Sequence, residues 1–167
     1  LDAVMPVITL LGDAGIFWIA IAVVLLFFPK TRRIGLGMGA ALLLGLLVCN
    51  VTLKPLVARI RPYDYVLEQS GVQIKLLIEA QHDFSFPSGH TIASFEAATV
   101  LLIHSKKAGI PAVILACLIA FSRLYLYVHY PTDVIASVIL GVAFGILGNW
   151  LVQKGFKLYE DHKLRAV

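Results

Sequence analysis

Six residues in three separate stretches carry the side-chain types of acid–base and nucleophilic chemistry: Lys54 and Arg61, then His90, then Arg123, His129 and Asp133. Three cations with no excess of nearby acids want an anion. Lys and Arg together with backbone donors suit a phosphoryl group, whose equatorial oxygens carry charge in the transition state. Two histidines suit a nucleophile and a proton donor. Asp133 lies four residues after His129, with Pro131 between them, and can reach an imidazole nitrogen to fix its tautomer. In the run Phe86-Pro87-Ser88-Gly89-His90-Thr91, Ser88 is placed to cap a helix, and small residues expose backbone N–H groups at its start. Such a helix start is a ready anion site. The chemistry that uses all of these is phosphoryl transfer through a phosphohistidine, with His129 attacking and His90 protonating the leaving oxygen. Lys54 and Arg61 are seven apart and share a face if the chain there is helical.

The elements that must position these residues are membrane helices. Of 167 residues, 59% are hydrophobic and 14% charged, with a mean hydropathy of +0.88. A soluble domain is about half apolar and a quarter charged, so the composition excludes one, along with a disordered tail or a disulfide scaffold. It fills roughly five spans of about 20 residues. Runs with little or no charge mark them at 14–29, 34–53, 88–105, 110–127 and 134–153. The predicted fold is therefore an all-α, polytopic transmembrane helix bundle of five to six spans and one domain, 1–167. Residues 1–12, which contain Pro6, read as an interfacial helix. Residues 54–87 form a long active-site loop with a short helix near 72–80, and 154–167 form a polar tail. No signal peptide is expected, since no basic residue precedes the first apolar run.

Span parity puts all six chemical residues at one membrane face. Nine of the fourteen basic residues fall on the other: Lys30, Arg32, Arg33, Lys106, Lys107, Lys154, Lys157, Lys163 and Arg165. The positive-inside rule makes that side cytoplasmic. The expected protein sits in the cytoplasmic membrane with its site on the extracytoplasmic face and its C-terminus inside.

In order, Lys54 with six residues to Arg61-Pro62, Pro87-Ser88-Gly89-His90, and Ser122-Arg123 with five residues to His129 and three more to Asp133 resemble a known three-part signature. It is that of the type 2 phosphatidic acid phosphatase superfamily, the group of membrane lipid phosphatases and vanadium haloperoxidases. The resemblance spans Lys54 to Asp133. It implies that Lys54, Arg61 and Arg123 hold phosphate with help from Ser88 and Gly89. It implies that His90 is the general acid, His129 the nucleophile and Asp133 its partner. It also implies a reaction without metal or cofactor. Many membrane members have six spans, against five plus an N-terminal piece here.

The expected function is hydrolysis of a lipid phosphate or diphosphate, such as undecaprenyl diphosphate, phosphatidate or phosphatidylglycerophosphate. The partners expected are that substrate and membrane lipids, and not nucleic acid. One rival is a non-enzymatic lipid-headgroup binding or transport protein, which would need neither histidine. Another is a metal-dependent hydrolase, which Asp64, Asp83 and Asp133 serve poorly because they form no clustered carboxylate pair. Arg59 reads as an interface cation, His82 and His104 as polar boundary residues, and Tyr125, Tyr127, Tyr130, Trp18 and Trp150 as packing or belt aromatics. Cys49 and Cys117 read as packed small hydrophobes. Glu96 lies inside a span, where a charge costs roughly 2.5–3.5 kcal/mol. It sits about 9 Å deeper than His90 and round the helix from it, so a packing role is expected.

Overall fold

The computed structural model describes residues 1–165, and among them the regular structure is entirely helical. Helix α1 (Met5–Leu10) and a 3₁₀ turn (Asp13–Gly15) lead into α2 (Ile16–Leu26). Helix α3 (Arg32–Gly45) passes into a π-helical stretch (Leu46–Leu53) and the single turn α4 (Lys54–Val57). Helix α5 (Pro62–Ser70) is short, and α6 (Gly89–His104), α7 (Lys106–Tyr125) and α8 (Pro131–Arg165) complete the bundle.

The helical stretch beginning at Arg32, α7 and α8 are each long and apolar enough to cross a membrane; α2 and α6 are apolar but shorter. The five apolar runs of the sequence are thus five helices, and the chain is a membrane protein. Large apolar side chains such as Ile19, Val23, Leu43, Ile114 and Ile139 point outward, the pattern that a hydrocarbon solvent demands. Helix α6 is the axis. It packs against α7, α8 and α3, and Thr91, Ile92, Ser94, Phe95, Glu96, Ala97, Ala98 and Val100 are all buried on it.

Local chemistry explains the turns. The α2–α3 turn is closed by side chains: Thr31 Oγ1 donates to Leu25 O at 2.9 Å and Arg32 Nε to Leu26 O at 3.1 Å. Both take up carbonyls that the end of α2 leaves free. Ser105 is extended and its Oγ accepts from Ala108 N, separating α6 from α7. Gly109 then lets α7 run directly against the Leu102 backbone.

Two expectations are corrected here. Residues 72–80 are not helical. The short helix of the loop lies earlier, at Pro62–Ser70, where proline occupies the first turn and Gly71 ends it at φ 70°. Beyond it Ile74, Leu76 and Ile78 alternate inward onto Met5, Tyr63, Leu126 and Val128, a period of two that reads as a strap. Cys117, expected to be packed, is exposed, whereas Cys49 is buried. The polar tail is no separate element, because α8 continues through it to Arg165; positions 166 and 167 of that tail lie outside the described residues.

Helix α8 packs through glycines. A Cβ on Gly141 would lie 2.9 Å from Ile92 O, on Gly145 2.7 Å from Thr99 Cβ, and on Gly148 2.5 Å from Ala41 N. Close backbone approach is how helices associate where lipid offers no hydrophobic drive. Replacing Gly148 by valine drives a methyl into the α3 backbone, which cannot move aside, and overpacking of this kind typically costs about 1–3 kcal/mol. The expected result is a lower thermal midpoint in detergent for Gly148→Val. Gly155→Val, at a position with nothing within 4 Å, should leave the midpoint where it is or raise it.

Candidate active site

Lys54 and Arg61 do not share a helix. Ala58 takes up a left-handed conformation at φ 47° and ends α4, and the chain runs extended into Arg61 before Pro62 starts α5. The two cations meet instead on a third residue. The carboxylate of Asp83 pairs with Lys54 Nζ through one oxygen and with Arg61 Nη2 through the other. Two of the three expected free cations therefore share one carboxylate of the chain itself, and the set of three keeps a net positive charge. Burial acts to raise the Asp83 carboxyl, but bonds from Lys54 and Arg61 outweigh it and hold the group down at about 2, so it stays ionised.

Arg61 is only 2% exposed, and all its nitrogens are used. Nε donates to Asp83 O at 2.8 Å and Nη1 to Val128 O at 2.7 Å, with Nη1 also 3.4 Å from His129 Nε2. Arg123, at the end of α7, is 1% exposed. Its Nη1 donates to Thr9 Oγ1 at 2.6 Å and lies 3.4 Å from His90 Nε2, while its Nε has no partner among the described residues. A buried donor left open is an invitation to an acceptor.

His129 sits in the turn between α7 and α8. Its Nδ1 is 3.6 Å from Asp133 Oδ2 and 3.5 Å from Ser85 Oγ, and Ser85 donates to that same carboxylate oxygen. The expected His–Asp pair is present, with a serine hydroxyl shared between its members. Arg59 fixes the other carboxylate oxygen at 2.7 Å, donates to Thr132 Oγ1 at 2.7 Å, and stacks over the Tyr130 ring at 3.9 Å. This corrects the view of Arg59 as an interface cation and of Tyr130 as a simple belt aromatic. On a helix, Arg59 would point away from Arg61; on the extended chain that exists there, residues two apart point the same way.

Ser88 occupies the N-cap of α6, but its hydroxyl does not cap the helix. It accepts from Thr91 Oγ1, while Ser88 N donates to Ser137 Oγ. Gly89 faces the Asn50 side chain, which belongs to the π-helical stretch and was not singled out by sequence. Ser85 and Thr9 are likewise not singled out by the sequence, and Asp83 enters there only as a candidate metal ligand; only the nearness of Ser85 and Asp83 to the Pro87–His90 run marks them.

A cavity of about 1260 Å³ holds Lys54, Arg61, His90, Arg123 and His129 at one end and continues between α2 and α3 past Ala22, Leu36 and Leu43. Glu96 lies in its wall, with Oε1 unpartnered, pressed against the bare Cα of Gly45. At the opposite end of the bundle His104 pairs with Asn149 at 2.7 Å, far from the site as expected. A polar head thus opens onto an apolar trough.

The His129 ring is pushed down to about 4, first by burial and then by the charges of Arg61 and Arg123, against the upward pull of Asp133. The unfolded chain takes up this proton below about 6.5, the folded chain only near 4, so the stability it contributes is lost over that window as pH falls. A titration of the histidine rings by NMR should show His129 neutral well below pH 6. A midpoint at the ordinary histidine value would contradict this electrostatic picture.

Comparison with known proteins places the chain in a family. Residues 34–157 match the model of the PAP2 superfamily. The chain is 37% identical over 139 residues to an undecaprenyl-diphosphatase of Sulfolobus acidocaldarius, which covers 83% of this chain and 65% of that protein. It therefore spans just under two thirds of that relative's length. The crystal structure of a transmembrane PAP2 type phosphatidylglycerolphosphate phosphatase from Bacillus subtilis superposes with a TM-score of 0.71 at 30% identity, over 92% of this chain and 77% of the other. That of Aquifex aeolicus LpxE gives 0.74 at 28% identity, over 89% and 84%. With a family match over residues 34–157 and a fold shared with these two membrane enzymes, the chain belongs to the PAP2 superfamily.

Proposed function

We propose that the protein is an integral membrane lipid phosphatase that hydrolyses a lipid phosphate or diphosphate through a phosphohistidine. The observation that carries this is the setting of His129. Its Nδ1 is backed by Ser85 and Asp133, while its Nε2 faces a cavity walled by Arg61 and Arg123. A nucleophilic nitrogen aimed between two buried guanidinium groups suits attack on phosphorus. Lys54, Arg61 and Arg123 would hold the phosphoryl oxygens, with the incoming phosphate replacing the Asp83 carboxylate between the first two. The N–H groups at the start of α6, at Ser88 and Gly89, would complete the cradle. His90 would protonate the leaving oxygen and later take the proton of the attacking water.

Among candidate lipids we place a polyprenyl diphosphate first. The relative of highest identity quoted above carries the name undecaprenyl-diphosphatase, and the apolar trough runs on from the site toward Phe156 and Tyr159 of α8. The same reading makes the reaction independent of metal. It is supported by the donor set: among the described residues no three His, Cys, Asp or Glu side chains converge, and Asp83 and Asp133 are each engaged by arginine. The orientation follows from the basic residues, with the site on the extracytoplasmic face, the 54–87 loop outside, and the C-terminal tail cytoplasmic.

His129→Ala should abolish phosphate release from a panel of lipid mono- and diphosphates while the protein still binds vanadate, because the three cations remain. Asp133→Asn should cost less, since the nitrogen is kept and only its tautomer is spoiled. The wild-type rate should survive excess chelator. Substantial turnover by His129→Ala would falsify the phosphohistidine, and a collapse in chelator restored by one divalent ion would favour a metal hydrolase.

The orientation is checked separately. Gln69→Cys, at an exposed position of α5, should react with an impermeant maleimide in intact cells when placed in a cysteine-free background. Labelling only after lysis would reverse the topology.

A further inference from the structure

The N-terminal segment is built around the ring of His90. A Cβ on Gly12 would lie 2.8 Å from His90 Cδ2, so only glycine lets the chain pass there. The next residue, Asp13, places Oδ1 3.7 Å from His90 Nε2. The chain then takes two successive left-handed residues, Ala14 at φ 46° and Gly15 at φ 67°. A left-handed alanine persists only where its surroundings demand it, and here it turns the chain so that Asp13 meets the imidazole. Trp18 fastens the next helix to the same point, donating to Ser94 Oγ, which donates to His90 O.

The His90 side chain is 14% exposed and that of Asp13 68%. Asp13 thus stands between an enclosed imidazole and solvent. The other groups bearing on that ring are cationic or can become so: Arg123, whose Nη1 is 3.4 Å from the same nitrogen, and Lys54, Arg61 and His129 behind it. Asp83 is held by Lys54 and Arg61. Asp13 is the carboxylate within ion-pair range of His90 among the described residues.

Proton balance gives this pair a task that depends on the substrate. With a phosphomonoester, His129 Nε2 attacks phosphorus, the P–O bond breaks, and the proton of His90 goes to the departing alkoxide. Water then attacks, the P–N bond breaks with its electrons returning to His129, and the proton of water restores His90. The cycle closes with no proton to discard. With a diphosphate, the bond that breaks leaves its electron pair on a lipid monophosphate, already a stable anion, which takes no proton. The second step is unchanged, so the proton of water arrives on a neutral His90 and stays. At mildly alkaline pH, where both products are dianions, each turnover leaves one proton that must go before His90 can serve as base again.

We propose that Asp13 is the exit for that proton, passing it from His90 Nε2 to solvent, and that hydrolysis of diphosphates needs it while hydrolysis of monoesters does not. This rests on the phosphohistidine reading above and adds to it a relay residue that acts through His90.

The test compares Asp13→Asn, Asp13→Glu and the wild type on a polyprenyl diphosphate and on phosphatidate, in detergent at mildly alkaline pH. Rapid quenching into alkali preserves any phosphohistidine. For Asp13→Asn, kcat on the diphosphate should fall by about tenfold or more, short of the roughly 10²–10⁴-fold of a group that transfers the substrate's proton directly. Phosphoenzyme should accumulate, and high imidazole buffer should restore the rate by carrying the proton instead. On phosphatidate the change should be less than about twofold, and Asp13→Glu should retain most activity on both. Equal losses on the two substrates, or a loss that imidazole does not relieve, would show Asp13 to be structural and overturn the relay while leaving the phosphohistidine intact. Absence of phosphoenzyme in the wild type and in every variant would instead remove the phosphohistidine, and the relay with it.

Discussion

The end of the bundle that holds the site depends on the burial of one guanidinium. Arg61 is almost wholly out of solvent and distributes its donors over Asp83, Val128 and the edge of His129. Stripping water from such an ion costs several kcal/mol, recovered only if every donor finds a partner in good geometry. Three segments far apart in sequence, around residues 59–61, 83–85 and 128–129, are thereby forced to converge. The helices bring these segments to the same end of the molecule; the arginine sets them within bonding distance. Loss of the pairing would leave a buried charge without compensation, so the loop and the site fold as one unit.

The second organising feature is electrostatic balance before any substrate arrives. Asp83 pairs with both Lys54 and Arg61 and offsets one of their two charges, and Arg59 neutralises Asp133. Arg123 keeps an open donor. A site built this way holds its cations at rest in the positions they would need around a phosphate, so little reorganisation remains for the reaction. On the proposed function it would also set a threshold, because an incoming anion must outcompete a carboxylate already seated.

The bundle and the six chemical residues were legible because they rest on strong signals. Charge-free runs of span length locate helices, and parity then places Lys54, Arg61, His90, Arg123, His129 and Asp133 at one face whatever the packing. Less legible was everything decided by the path of the loop. Treating 54–61 as helical hid Arg59, whose role appears once Ala58 breaks the turn. The alternation of Ile74, Leu76 and Ile78 was read as helix although its period is two. Ser85, Asp83 and Thr9 are small or ordinary polar residues whose importance comes from the atoms they meet, Asp133, Lys54 and Arg123, and no spacing rule encodes such meetings. The interfacial piece at 1–12 proved the least transparent, since a short apolar stretch with a proline gives no hint that Thr9 and Gly12 abut the site.

The apolar trough between α2 and α3 has a kinetic consequence. It joins the polar pocket along the flank of the bundle rather than through its top. A lipid held there keeps its tail among hydrocarbon throughout the cycle and need not be lifted out of the bilayer. Arrival and departure are then diffusion in two dimensions. On the lipid-phosphatase reading, the quantity that sets the rate would be the mole fraction of substrate in the membrane, so diluting the surface with inert lipid would slow turnover while adding water would not.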